Sequence, residues 1–125
     1  MYKVLLVAIG GGIGASLRYL TNLGAFRLLG TNALWGTAAI NILGSFAMGL
    51  FIEILARRFG GSAELRLFVA SGILGGFTTF SAFSLDFVVL FERGDVGQAF
   101  AYVAISVIIS IAALFAGLYL ARTFA

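Results

Sequence analysis

Four long apolar runs, separated by three short polar joints, dominate the pattern along the chain. Residues 2–20, 34–55, 65–91 and 99–121 each supply the roughly 20 mostly apolar residues that a helix needs to cross about 30 Å of hydrocarbon. The joints at 21–33, 56–64 and 92–98 are short enough for successive helices to pack antiparallel. The pattern predicts an all-α membrane protein, residues 1–125 forming a single four-span transmembrane domain.

The third run departs from the other three. It is 27 residues long, and its middle reads Gly72-Ile73-Leu74-Gly75-Gly76-Phe77-Thr78-Thr79-Phe80-Ser81-Ala82-Phe83-Ser84. Glycines weaken a helix, and hydroxyl side chains offer its backbone other partners. A helix broken mid-membrane is the expectation. Irregular backbone at that depth is tolerated only where it is buried in protein or lines a cavity, so the break points to function. The plainer reading is a continuous helix that uses small residues for packing.

Composition narrows the field of functions. The chain is 62% hydrophobic and 10% charged, with a mean hydropathy of +1.11, where a soluble domain is about 25% charged. It has no Cys, His or Pro. Thiol chemistry and the commonest general base and metal ligand are therefore missing, which argues against an enzyme. The net charge of +3 is spread over the ends of the runs rather than gathered into a nucleic-acid-binding patch.

Two motif readings of the N-terminal run are weak. Lys3 before an apolar stretch and Gly14-Ala15-Ser16 after it resemble a signal peptide, but the run continues to Leu20 and three more follow. Gly10, Gly12 and Ala15 fit G-x-G-x-x-A, yet no acidic residue and no α/β pattern follow at the distances a dinucleotide site needs. Gly10 and Gly14, like Ala113 and Gly117, read better as small faces for close helix packing, and they are available for oligomerisation. Four spans are too few to enclose a pore comfortably, so an oligomer is expected.

The polar residues inside the runs fall into stripes. Thr37, Asn41 and Ser45 repeat every four residues on the second run, and Tyr102, Ser106 and Ser110 do so on the fourth. Unsatisfied polar groups cost several kcal/mol in lipid, so both stripes face protein or a pathway. They offer N–H and O–H donors, and no carboxylate stands in the middle of any run. A donor-rich, uncharged lining suits an anion or a neutral polar solute better than a cation. Interhelical hydrogen bonding is the competing reading for each residue. Phe80 and Phe83, three apart beyond the break, could present their positive ring edges to a small anion, although packing is the default role for phenylalanine. Asp86 could be held by helix-end electrostatics or by a partner such as Arg18.

With both termini on one side, Lys3, Arg57, Arg58, Arg66 and Arg122 share that side, against Arg18, Arg27 and Arg93 on the other. Five against three weakly favours cytoplasmic termini.

The run Gly75-Gly76-Phe77-Thr78-Thr79-Phe80-Ser81-Ala82-Phe83-Ser84, with Gly14-Ala15-Ser16-Leu17-Arg18-Tyr19 and Gly36-Thr37-Ala38-Ala39-Ile40-Asn41, resembles the Fluc (CrcB) family of fluoride channels. The similarity covers essentially the whole chain. It implies passive, selective export of fluoride across a bacterial cytoplasmic membrane by an antiparallel, dual-topology homodimer with two pores. It also implies a structural, untransported Na+ at the dimer centre, held by backbone carbonyls of Gly75 and Thr78. By position, Phe80 and Phe83 match the paired pore phenylalanines and Asn41 the pore asparagine. Tyr102, Ser106 and Ser110 match the polar track, and Ser81 joins the fluoride-pore set. Asp86 stands where the family often has glutamate, and a five-to-three charge bias exceeds what full dual topology would ideally show. Two rivals remain at this point: a small exporter of hydrophobic cations, which needs an embedded acidic residue that the first run lacks, and a packing subunit of a larger membrane complex.

Overall fold

The computed structural model describes residues 1–30 and 34–124. Every regular element among them is helical. The first helix, α1, is Tyr2–Leu29, and α2 is Leu34–Arg58. The third, α3, covers residues 63–77 and has three parts: an α-helical turn Ala63–Leu65, a π-helical segment Arg66–Leu74 and a second α-helical turn Gly75–Phe77. Then come α4, Phe80–Glu92, and α5, Val96–Phe124.

Four stretches are long and apolar enough to cross a membrane: Tyr2–Leu28, Trp35–Arg58, Ala63–Glu92 and Val96–Phe124. Large apolar side chains such as Ile9, Leu20, Ile108 and Phe115 point outward along them. In water that surface would cost far too much, and in lipid it is solvated. The architecture is that of a membrane protein.

The helices reach further into the expected joints than the hydrophobic pattern indicates. Residues 21–29 continue α1, and 56–58 continue α2. Hydrogen-bonding geometry is indifferent to the polarity change that ends an apolar run, and these ends stay helical until a glycine stops them. Gly30 turns to φ 62° and its N–H reaches the Phe26 carbonyl; at the end of α2, Gly60 and Gly61 have φ 62° and 68°, and the Gly61 N–H reaches Leu55. Residues 31–33, the rest of the first joint, lie outside the described residues.

Both termini and the α2–α3 turn share one end of the bundle. Tyr2 Oη donates to Glu64 Oε1 at 3.0 Å, and Arg58 Nη2 donates to the Phe124 carbonyl at 3.1 Å. Glu53 bridges Arg57 (2.7 Å) and Arg122 (2.8 Å). Two of the five basic residues grouped at this end thus share one carboxylate, which offsets one of their two charges.

Two seams hold the bundle together, α1 against α3 and α2 against α5. Glycines make both. A Cβ on Gly76 would lie 2.6 Å from the Gly11 carbonyl oxygen, and one on Gly72 would lie 2.9 Å from Gly10 Cα. Gly10 and Gly14 likewise abut the Phe68 and Ile73 carbonyls, while Gly49 and Gly117 face the backbones of α5 and α2. The small faces expected to serve contacts between subunits at Gly10, Gly14 and Gly117 are therefore occupied within the chain. Backbones this close exclude even a methyl group, so helix-on-helix dispersion replaces the hydrophobic drive that lipid removes.

Candidate functional site

The helix stops midway along the Ala63–Glu92 stretch. Thr78 turns extended (φ −79°, ψ 157°), as does Thr79 (φ −151°, ψ 123°), and α4 restarts at Phe80. Local chemistry accounts for the break. The glycines before it lower helix stability, and Thr79 is a strong N-cap whose Oγ1 accepts the Ala82 N–H at 3.2 Å. On the other side, the Leu74 carbonyl accepts both the Thr78 N–H and the Thr78 Oγ1–H, each at 3.0 Å.

Asn41 of α2 clasps the exposed backbone. Its Oδ1 accepts the Thr79 N–H at 2.9 Å, and its Nδ2 donates to the Thr79 carbonyl at 3.0 Å. Both otherwise orphaned groups of one peptide residue are satisfied by a single carboxamide. Gly44, three residues further on, permits the approach: a Cβ there would sit 3.3 Å from Phe77 Cδ2 and closer still to the Thr78 methyl.

A cavity of about 380 Å³ opens between this break, α2 and α5. Asn41 and Ser45, Thr78 and Thr79, Phe80 and Phe83, and Ser106 and Ser110 line it, with Met48, Val107, Ile111 and Leu114 as an apolar wall. Among the described residues, no ionisable side chain is part of the lining.

The seryl hydroxyls are its most telling feature. A helical Ser or Thr ordinarily donates to the carbonyl four residues back, as Ser16 does to Gly12 (2.7 Å), Thr21 to Leu17 (2.9 Å) and Ser84 to Phe80 (3.0 Å). Ser106 and Ser110 do not. Their Oγ atoms are buried and have no hydrogen-bond partner among the described residues. Two orphaned donors at the edge of a cavity need something to fill it, because an unmade buried hydrogen bond costs on the order of 1–3 kcal/mol.

The other nominated residues are placed as follows. Phe80 is 77% exposed at the cavity rim and Phe83 is buried, their ring centroids 5.6 Å apart at 54°. Tyr102 lies behind Phe83 rather than on the cavity, fully buried, and its Oη donates to Asp86 Oδ2 at 2.8 Å. Asp86 is thus held by a tyrosine and not by Arg18. Ser81 is exposed, with its Oγ 3.4 Å from Thr79 Oγ1. Gly75 is exposed at the last turn before the break, away from the cavity. Sequence reasoning missed Thr79, Gly44 and Met48. Thr79 was detectable as an N-cap residue before a restarting helix, and Gly44 only by its spacing from Asn41.

Fold and cavity together define a small polytopic helical membrane protein whose polar pocket is built at a broken helix. Comparison with known proteins places it more closely. The family model described as "CrcB-like protein, Camphor Resistance (CrcB)" matches residues 5–118. Among its relatives, the chain is 68% identical to a protein of Mesorhizobium japonicum over 98% of both chains. It is 60% identical to one of Chelativorans sp. and 55% identical to one of Agrobacterium fabrum, each again over 98% of both chains. All three relatives carry the name fluoride-specific ion channel FluC. The chain belongs to the CrcB family.

Proposed function

We propose that this protein is a fluoride-selective channel that lets fluoride leave the cytoplasm passively, without enzymatic chemistry. The observation that carries the reading is the pair of unpartnered hydroxyls, Ser106 and Ser110, buried beside a cavity that has donors and no carboxylate. The names of close relatives supply the ion.

Fluoride is small and strongly hydrated, so a pathway must replace water with donors before it enters a narrow space. Ser106 and Ser110 offer two O–H groups. Asn41 offers the second Nδ2 hydrogen, since only one is used on Thr79. The N-terminus of α4 opens at the cavity, and Phe80 and Ser81, in the first turn of a 13-residue helix, have N–H groups without intrahelical partners. The ring edges of Phe80 and Phe83 add weak positive potential. None of these groups carries a full charge, so binding stays weak enough for the ion to leave, as conduction requires.

The proposed assembly is an antiparallel, dual-topology homodimer in a bacterial cytoplasmic membrane, each subunit contributing to two pores. The exposure of Phe80 at the rim supports this assembly, since a second subunit would complete that wall. A break halfway along its stretch lies near the bilayer midplane, where two antiparallel copies bring their breaks together. A structural Na+ fits there. It is a hard cation that takes oxygen ligands, and the end of α3 at Phe77 leaves last-turn carbonyls free. Gly75 and Thr78 carbonyls from both subunits would hold it, neutralising converging partial negative charge.

Anion efflux from liposomes containing the purified protein tests the reading, with a fluoride electrode and a chloride electrode under a potassium/valinomycin shunt. Fast fluoride release with little chloride release is expected. No fluoride release from folded protein overturns the proposal.

A further inference from the structure

Behind the cavity stands a three-ring stack that the donor list does not use. Phe83 lies against Tyr102 with centroids 5.4 Å apart and planes 26° apart, and Trp35 meets the same tyrosine edge-on at 5.5 Å and 68°. Tyr102 is the hub. It is completely buried, and its one polar atom is taken by Asp86 at 2.8 Å. Thr37, also buried, lies beside this pair.

We propose that Asp86 is a positioning residue for the pore ring of Phe83, acting through Tyr102, with Trp35 bracing the same tyrosine. The inference rests on the channel reading for the word pore; the stack itself does not depend on it. A phenylalanine ring in a cavity wall rotates about two side-chain torsions, and nothing polar on it can fix its attitude. Stacking supplies the constraint only if the partner ring is itself immobile. Tyr102 is pinned at its tip by its hydrogen bond to Asp86, and Trp35 meets the same ring edge-on. Asp86 and Phe83 sit three apart on α4, so the latch and the ring it governs belong to one rigid helix, while Tyr102 and Trp35 come from α5 and α2.

This assignment separates two members of one stripe. Ser106 and Ser110 face the cavity with free hydroxyls, whereas Tyr102 donates away from it. Tyr102 therefore shapes the pathway without coordinating the ion.

The test combines flux with fluorescence, because Trp35 is the only tryptophan in the chain. Asp86→Ala and Tyr102→Phe each remove one half of the latch, and Asp86→Asn keeps an acceptor for the tyrosine. Asp86→Ala and Tyr102→Phe are expected to lower Trp35 anisotropy and to reduce fluoride efflux about tenfold, with the double variant no worse than either single one. Asp86→Asn is expected to restore both signals to within about threefold of the parent, since the hydrogen bond and not the charge carries the effect. Additive losses in the double variant overturn the proposal, as does Asp86→Asn behaving like Asp86→Ala. Reduced flux with an unchanged Trp35 signal also overturns it. A parent protein that passes no fluoride refutes the channel reading instead, and the Trp35 signals of the variants still decide whether the latch exists.

Discussion

The seam between α1 and α3 and the face between α2, α4 and α5 use similar small and hydroxylated residues to opposite ends. Along α1, Ser16 and Thr21 satisfy themselves on their own helix, and Gly10 and Gly14 press backbone against backbone. Along α5, Ser106 and Ser110 are left unpartnered, and the helices part into a cavity of about 380 Å³. What separates the two is whether the opposing helix is continuous. The π-helical segment Arg66–Leu74 presents an unbroken backbone to α1, so the seam closes; at Thr78 and Thr79 the helical backbone is interrupted, and the interruption lines the cavity. A dry contact and a solute site thus come from one residue vocabulary.

The largest effect should come from closing the distinction at the seam. Gly14→Val forces a branched side chain into the Ile73 and Phe77 backbones. Overpacking of this kind costs about 1–3 kcal/mol and often more where backbone must move, so little folded protein should survive detergent extraction, as size-exclusion chromatography will show.

Next in size is Asn41→Asp. The carboxylate can still accept the Thr79 N–H but cannot donate to its carbonyl, and it brings a negative charge to the cavity. Fluoride efflux should fall at least about a hundredfold, because a like charge near an anion path in low dielectric costs several kcal/mol. Normal flux in this variant would remove Asn41 from the pathway.

Phe80→Ile sits between. It keeps the rim apolar but removes the ring edge, and efflux should drop by roughly tenfold or more with the helical content by circular dichroism unchanged. Equal flux would reduce Phe80 to packing.

The smallest pair of changes sharpens the comparison most directly. Ser110→Ala removes a hydroxyl that bonds nothing in the protein, so thermal stability should hold or rise slightly while flux falls about tenfold. Ser16→Ala removes a hydroxyl that only serves its own helix, and both readouts should stay within experimental error. Similar behaviour of the two serines would mean the cavity is not a pathway.

Much of this was legible along the chain. Apolar runs of sufficient length require helices in lipid because no other open structure satisfies the backbone, which is why the four spans could be read from hydropathy alone. The break was readable too, since Gly75, Gly76, Thr78 and Thr79 carry their helix-weakening chemistry locally. Periodicity put Asn41 and Ser45 on one face, and Ser106 and Ser110 on another.

What periodicity could not assign was direction and partner. It placed Tyr102 in the same stripe as the two serines, and only the packing of Trp35, Phe83 and Asp86 around it turned its hydroxyl away from the cavity. It marked Gly10, Gly14 and Gly117 as contact surfaces without saying that the contacts lie inside the subunit. Nor could it show that Asn41 spends two of its polar atoms on Thr79, 38 residues away. Local propensity and solvent set which segments are helical, because each residue meets those forces with its neighbours in sequence. Which hydroxyl stays free depends on groups distant in the chain, and only the folded bundle brings them together.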